Sequence, residues 1–239
     1  MTATSPATSP ASTAKTPLLR IAGVLSLRPV LILAMGLGLL AANFSLMYTN
    51  ALIVVIDVIT LFTLAAAMKA EGSSLGALFG RWRWIDLAWG ALMLVIVTVG
   101  FFMSNYAANL IVYGGAPPFS TDVPVVPLWL GLVALIIAPA TIAFAEEALY
   151  RGYAQPRLAG RIGTALSLII VAVIFGVQHI GFALGTFEDV LAKVLTTFFA
   201  GLILGALMLW MKRIMPLALA HWGLDILFLG LPTFYLAIA

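Results

Sequence analysis

Residues 163–182 read GTALSLIIVAVIFGVQHIGF, without a single Asp, Glu, Lys or Arg. A helix of about 20 such residues spans the hydrocarbon core of a bilayer. Similar runs recur along the chain, which is 63% hydrophobic and only 9% charged, whereas an ordinary soluble domain is about 25% charged. The runs are continuous rather than alternating, which argues against a membrane β-barrel. The sequence therefore predicts an all-α fold, a polytopic transmembrane helical bundle.

We expect about seven spans in 239 residues, with bounds near 29–48, 51–68, 85–104, 128–150, 163–182, 190–211 and 215–235. Residues 1–19 are rich in Ser, Thr and Pro, so we expect a disordered tail. Residues 20–127 then hold the N-terminal transmembrane helices and a loop, and residues 128–239 hold a second transmembrane region. Within 105–127, Gly-Gly and Pro-Pro pairs favour a loop or a partly re-entrant segment.

Basic residues are distributed unevenly between these spans. With seven spans, eleven of the twelve lysines and arginines fall on one side, Arg28 and Arg151 among them, and only Lys193 falls on the other. The positive-inside rule then predicts a cytoplasmic N-terminus, and we expect a prokaryotic plasma membrane. The surface arginines are expected to contact membrane lipids.

The net charge of only +3, scattered between apolar runs, argues against nucleic-acid binding, and the absence of cysteine excludes thiolate chemistry.

Few ionisable side chains lie inside the apolar segments, where each costs at least about 2.5–3.5 kcal/mol and is a functional candidate by default. These residues are Asp57, Glu146, Glu147, Arg151, His179, His221 and Asp225. Asp57 is alone in its span, and we interpret it as an interhelical hydrogen-bonding group. Both histidines of the chain belong to this set.

Residues 144–153, FAEEALYRGY, carry two adjacent glutamates. Neighbouring helical residues point about 100° apart, so the two must face different surroundings. Glu147 and Arg151 are four residues apart and can pair. Glu146 is then expected to face a cavity without a cation, where it could act as a base toward water. The alternative is an ordinary ion pair at a cytoplasmic helix end.

Helix depth separates these two interpretations. His179 lies eighteen residues, or about 27 Å of helix, beyond Arg161. Glu146 can reach that depth only if the fourth span continues past Arg151, so the catalytic interpretation predicts a buried Arg151 paired with Glu147.

Two further segments supply polar groups at bilayer depth. FGVQH places Phe175 and His179 on one helical face, and HWGLD does the same for His221 and Asp225. Each pair alone is also typical of packed polar residues. Together with Glu146 they could activate a water molecule, with or without a divalent metal.

The segments EEALYR, FGVQH and HWGLD, in this order, resemble the CPBP family of intramembrane proteases, which includes CAAX prenyl endopeptidases and bacteriocin-processing enzymes. The family pattern is EExxxR, FxxxH and Hxxx(N/D). The resemblance covers about residues 128–235, which makes 128–239 the CPBP-like catalytic region.

The resemblance implies an endopeptidase, metallo or glutamic in type, acting on a membrane-tethered or lipidated protein near the cytoplasmic face. Glu146 would activate water, and His179 and His221 would hold that water, a metal or the oxyanion. Asp225 would assist, and Glu147, Arg151 and Phe175 would support the site. A zinc ion bound by Glu146, His179 and His221 and a metal-free mechanism are equally open.

Two other functions fit the same residues. One is a non-catalytic membrane scaffold or immunity protein of the same fold. The other is a transporter in which the carboxylates and histidines relay protons or bind an ion.

Overall fold

The computed structural model describes residues 16–118 and 124–239, and these ranges are helical without strands. Within these described ranges, seven helices are long and apolar enough to cross a membrane. Both findings confirm the predicted all-α bundle, and the chain is an integral multi-pass membrane protein. The helices are α1, Leu18–Ala41; α2, Leu46–Ala70; α3, Ile85–Tyr113; α4, Leu128–Ile162; α5, Thr164–Phe182; α6, Phe187–Met211; and α7, Ile214–Ile238.

Two predicted boundaries are wrong. The first helix begins at Leu18 rather than near residue 29 and passes through Pro29 without ending. Arg28 is therefore inside the span, and of the tail predicted over 1–19, residues 1–15 lie outside the described residues. The third helix continues to Tyr113 and ends where Gly114 adopts φ +69°, a conformation that suits glycine after a helix end. Residues 105–113 are thus helical rather than part of a loop.

The fourth helix continues well beyond Arg151, as the depth argument requires, and it is not a uniform α-helix. Proline lacks an N–H and its ring clashes with the carbonyl four residues earlier, which disturbs the preceding turn. Wider π-helical turns, which are frequent at functional sites, precede prolines three times in α4 and α7: Val133–Ile137 before Pro139, Glu147–Ala154 before Pro156, and Ile226–Gly230 before Pro232.

The bundle has two chemically different ends. We call one the basic end; it comprises the start of α1 and the connections 71–84, 163 and 212–213. The opposite end comprises the described connections 42–45, 114–118, 124–127 and 183–186. Ion pairs between described residues join helices at the basic end. Arg157 Nη2 lies 2.6 Å from Glu71 Oε2, and Arg213 Nη2 lies 2.7 Å from Asp86 Oδ2.

Helix α1 approaches the end of α5 more closely than side chains normally permit. A Cβ atom added at Gly36 would overlap the carbonyl group of Gly181, and one added at Gly181 would overlap the carbonyl group of Ile32. The two glycines therefore let the two backbones meet directly. This contact brings α1, and Arg28 with it, against the helix that carries His179.

We predict that Gly36→Ala lowers the free energy of unfolding by about 1–3 kcal/mol, the usual cost of overpacking. Gly38→Ala on the same helix is the matched control, because nothing lies within 4 Å of its added Cβ. Thermal unfolding in detergent compares the two variants. Equal melting temperatures would contradict the close approach of α1 and α5.

The Glu71–Arg157 pair predicts a pH-dependent contribution to stability. Burial would raise the pKa of Glu71, but hydrogen bonds and charge from Arg157 hold this pKa below its ordinary value of 4.5. A lowered pKa stabilises the fold above the unfolded-state value, and that stabilisation is lost as the pH falls through the folded-state value. We expect Glu71→Gln to lower the melting temperature at about pH 7, and we expect this difference to shrink as the pH falls below 4.5 and through the lowered folded-state pKa of Glu71.

Glu188→Gln is the control for this measurement, because Glu188 is exposed at the opposite end. A difference between the native chain and Glu71→Gln that stayed constant from neutral to acid pH would show that the ion pair does not contribute.

Candidate active site

A cavity of about 430 Å³ lies between the helices, and the predicted side chains meet in it although they come from three distant segments. Glu146 contributes from α4, His179 from the end of α5, and both His221 and Asp225 from α7. Phe175 lines the same cavity. Glu147 and Arg151 lie beside it, fully buried.

The two carboxylate oxygens of Glu146 have different surroundings. Its Oε1 accepts hydrogen bonds from Arg28 Nη1 at 2.6 Å and from Gln178 Nε2 at 3.0 Å. Its Oε2 lies 3.7 Å from His221 Nε2, which is too long for a direct hydrogen bond. One oxygen is therefore held in place while the other faces the histidine and the cavity.

His221 is oriented by Glu147 rather than by Asp225 alone. Its Nδ1 lies 2.8 Å from Glu147 Oε1. Because an ionised carboxylate can only accept, Nδ1 carries the hydrogen. Its Nε2 lies 3.7 Å from Oδ2 of Asp225. The ring thus presents Nε2 to a space bordered by two carboxylates, Glu146 and Asp225.

Arg151 is buried and pairs with Glu147, as the depth argument predicts. The distance from its Nη1 to Glu147 Oε1 is 3.2 Å, and its side chain has no exposed surface. Its guanidinium carbon lies 4.4 Å from the centre of the Phe175 ring, a cation–π contact. The Phe175 ring also packs edge-on against His179, with centroids 5.1 Å apart. One ring therefore contacts both Arg151 and His179.

His179 is held by its own helix. Its Nδ1 lies 2.7 Å from the carbonyl oxygen of Phe175, and a carbonyl can only accept, so Nδ1 carries a hydrogen. In the neutral ring Nε2 is then an acceptor. Since His179 lines the cavity, this nitrogen is available to a water molecule or to a substrate N–H.

Sequence reasoning missed Arg28. It assigned this residue to the surface before the first span and expected Glu146 to face a cavity without a cation, and both expectations are wrong. Arg28 has no exposed surface. Besides Glu146, its Nη2 and Nε contact Asp57 Oδ1 at 2.8 and 3.0 Å. Asp57 therefore makes the interhelical hydrogen bond expected of it, with this arginine as its partner.

Gln178 completes the arrangement around Arg28. Its Oε1 accepts from Arg28 Nη1 at 2.5 Å and from the Tyr150 hydroxyl at 2.6 Å, while its Nε2 donates to Glu146. The amide is therefore fixed at both ends. In the sequence, Asp57 is an acid in an apolar span without a visible partner. It was the one sequence signal that a buried cation had to be close by.

The side chains as placed do not form a metal site. In 16–118 and 124–239, no three His, Asp or Glu side chains are grouped so that they could hold a metal ion. Glu146 Oε1 is already occupied by a guanidinium, and Nδ1 of each histidine is bonded elsewhere. The zinc alternative stays a prediction, and no step below uses a metal.

Comparison with known proteins agrees with the motifs. Residues 124–227 match the family model described as Rce1-like, that of the type II CAAX prenyl endopeptidases. This match confirms the resemblance to the CPBP family and supports a protease. Arg28 and Asp57 lie outside the matched range. Neither curated proteins nor solved structures gave a significant match.

We predict that Arg28→Met strongly destabilises the fold, because Asp57 and Glu146 would lose their cation. Breaking a buried ion pair costs about 3–5 kcal/mol. Adding Asp57→Leu removes one stranded charge and should recover part of that loss. Chemical unfolding in detergent micelles measures both effects.

The matched control is Arg157→Met, which breaks a partly exposed pair and should cost only about 1 kcal/mol. If Arg28→Met proved no more destabilising than Arg157→Met, the buried network would be wrong.

Proposed function

We propose that the chain is an intramembrane endopeptidase in which Glu146 activates a water molecule. The observation that carries this proposal is that the two oxygen atoms of that carboxylate have different contacts. Oε1 is fixed by Arg28 and Gln178, while Oε2 faces His221 across 3.7 Å at the cavity wall. A general base must be held within reach of the proton that it takes, and this arrangement supplies such a group.

The reaction follows from that placement. The water oxygen bonds to the carbonyl carbon of the scissile peptide while Oε2 of Glu146 takes a proton, and the carbonyl oxygen becomes an oxyanion. Glu146 then gives this proton to the amide nitrogen as the C–N bond breaks. The products are a carboxylic acid, which ionises, and an amine.

The histidines stabilise the charges that develop. Glu147 holds Nδ1 of His221 and thereby directs Nε2 into the cavity, where the protonated ring can donate Nε2–H to the oxyanion. His179, fixed through Phe175, presents Nε2 as an acceptor for the water or for the substrate N–H. Asp225 borders the same space as Nε2 of His221 and can position the water there. Arg151 acts through Glu147 and is a positioning residue.

The composition of the cavity wall supports the proposal that the substrate segment is apolar. Much of it consists of large hydrophobic side chains: Leu46, Met47, Phe101, Phe182, Phe228 and Leu229. A peptide enters such a cavity favourably when it is itself apolar. A membrane-tethered or lipidated protein would present a segment of this kind within the bilayer.

We predict that Glu146→Gln lowers the cleavage rate by about 10²–10⁴-fold, the range for loss of a general base. The amide keeps the shape of the side chain and its acceptor for Arg28, so the melting temperature should fall far less than in Arg28→Met. The assay uses protein in proteoliposomes and an internally quenched fluorogenic peptide with an apolar anchor.

The control is Glu188→Gln, a charge-matched change at an exposed position outside the cavity. It should cleave at the native rate. A Glu146→Gln variant with native turnover would contradict the proposal. A folded native chain without any turnover would instead favour the scaffold function.

A further inference from the structure

We infer that the cavity receives its substrate from the extracytoplasmic side of the membrane, so that the substrate is an anchored segment of an exported protein. The inference rests on the proposed function and deepens it. It depends on two independent features of the chain: where the basic residues lie, and at which end the cavity opens.

The basic residues set the orientation. Arg28, which was expected at the surface, and Arg151, which the depth argument predicts to be buried, both lie inside the bundle. The other basic residues of the described chain, apart from Lys193, remain at or near the basic end: Arg20, Lys69, Arg81, Arg83, Arg157, Arg161, Lys212 and Arg213. Lys and Arg near span ends favour the cytoplasmic side. The basic end is therefore cytoplasmic.

The cavity reaches the other end of the bundle. Six of its lining residues belong to the last or first turns there, or lie within two helical turns of them: Leu46, Met47, Thr49, Asn50, Phe182 and Lys193. Among the described residues, none that lines the cavity belongs to the connections of the basic end. The cavity thus extends from the site toward the opposite end.

Toward the basic end the site is closed by a packed hydrophobic cluster. On α1, Leu25 precedes Arg28 by one turn and is buried; on α7, Leu217 precedes His221 by one turn and is fully buried. Tyr153 on α4 is also without exposed surface. The short helix Leu75–Phe79 packs over this cluster. In the described chain, this packing fills the space between the site and the basic end.

The polar side chains around the cavity differ in their exposed fraction. Lys193, nearest the opposite end, is exposed. The side-chain exposure is 19% for Asp225, 6% for His221 and 3% for Glu146, and Arg28 is fully buried. The groups that border the cavity therefore keep some exposed surface, whereas Arg28, which holds Glu146, keeps none. The resemblance to CAAX proteases implied cleavage near the cytoplasmic face, and this arrangement favours the other face.

Cysteine labelling tests the orientation without relying on activity. The chain has no cysteine, so single substitutions report one position each. Glu188 is exposed at the opposite end and Ser73 is exposed at the basic end. Glu188→Cys and Ser73→Cys therefore place a thiol at one end each. In intact bacterial cells, a membrane-impermeant maleimide should label Glu188→Cys, and should label Ser73→Cys only after permeabilisation. The reverse pattern would overturn the inference.

Sealed vesicles test substrate access. The probe is an internally quenched peptide with an apolar middle and charged ends, which does not cross the bilayer. We expect cleavage in right-side-out vesicles, and loss of cleavage to the level of Glu146→Gln in inverted ones. Detergent should restore cleavage in the inverted vesicles.

The outcomes separate the two proposals. Cleavage confined to inverted vesicles would overturn the extracytoplasmic inference and leave the protease proposal intact. Absence of cleavage even in detergent, from folded native protein, would overturn the proposed function and the substrate assignment together.

Discussion

The arrangement of the bundle depends on one buried cation. The guanidinium of Arg28 lies in an apolar helix with no exposed surface and contacts Asp57, Glu146 and Gln178. A charge at this depth is tolerated only when it is paired and hydrogen-bonded. Satisfying Arg28 therefore requires α1, α2, α4 and α5 to meet at one level. The same contacts fix Glu146, so the requirement that places the helices also places the reacting carboxylate.

A second buried pair gives the adjacent glutamates different roles. Glu147 is bound by Arg151 and by His221, whereas Glu146 keeps one oxygen directed toward the cavity. The two networks lie on different sides of α4, as expected for neighbouring helical residues. Glu147 and Arg151 both belong to the π-helical stretch Glu147–Ala154. The wider turns therefore occur where α4 packs against both α1 and α7. Charge neutralisation and positioning are thus achieved by the same side chains.

The sequence predicts the interactions that are local. The four-residue spacing of Glu147 and Arg151 and the depth of His179 were sufficient to predict a buried pair and a long fourth span. The contact of Arg28 with Glu146 joins residues 118 positions apart, and no local pattern encodes it. Hydropathy also misplaced Arg28, because an arginine followed by an apolar run is usually read as a helix end at the membrane surface. Only Asp57, an acid without a visible partner, indicated a missing cation.

The most direct test of this account is a double-mutant cycle between Arg28→Gln and Glu146→Gln, measured as free energies of unfolding in detergent. Residues in direct contact within one ion-pair network show coupling energies of about 0.5–3 kcal/mol. The account predicts a coupling energy above about 1 kcal/mol. Additive effects of the two substitutions would mean that the guanidinium does not hold the carboxylate, and the site as described would not exist.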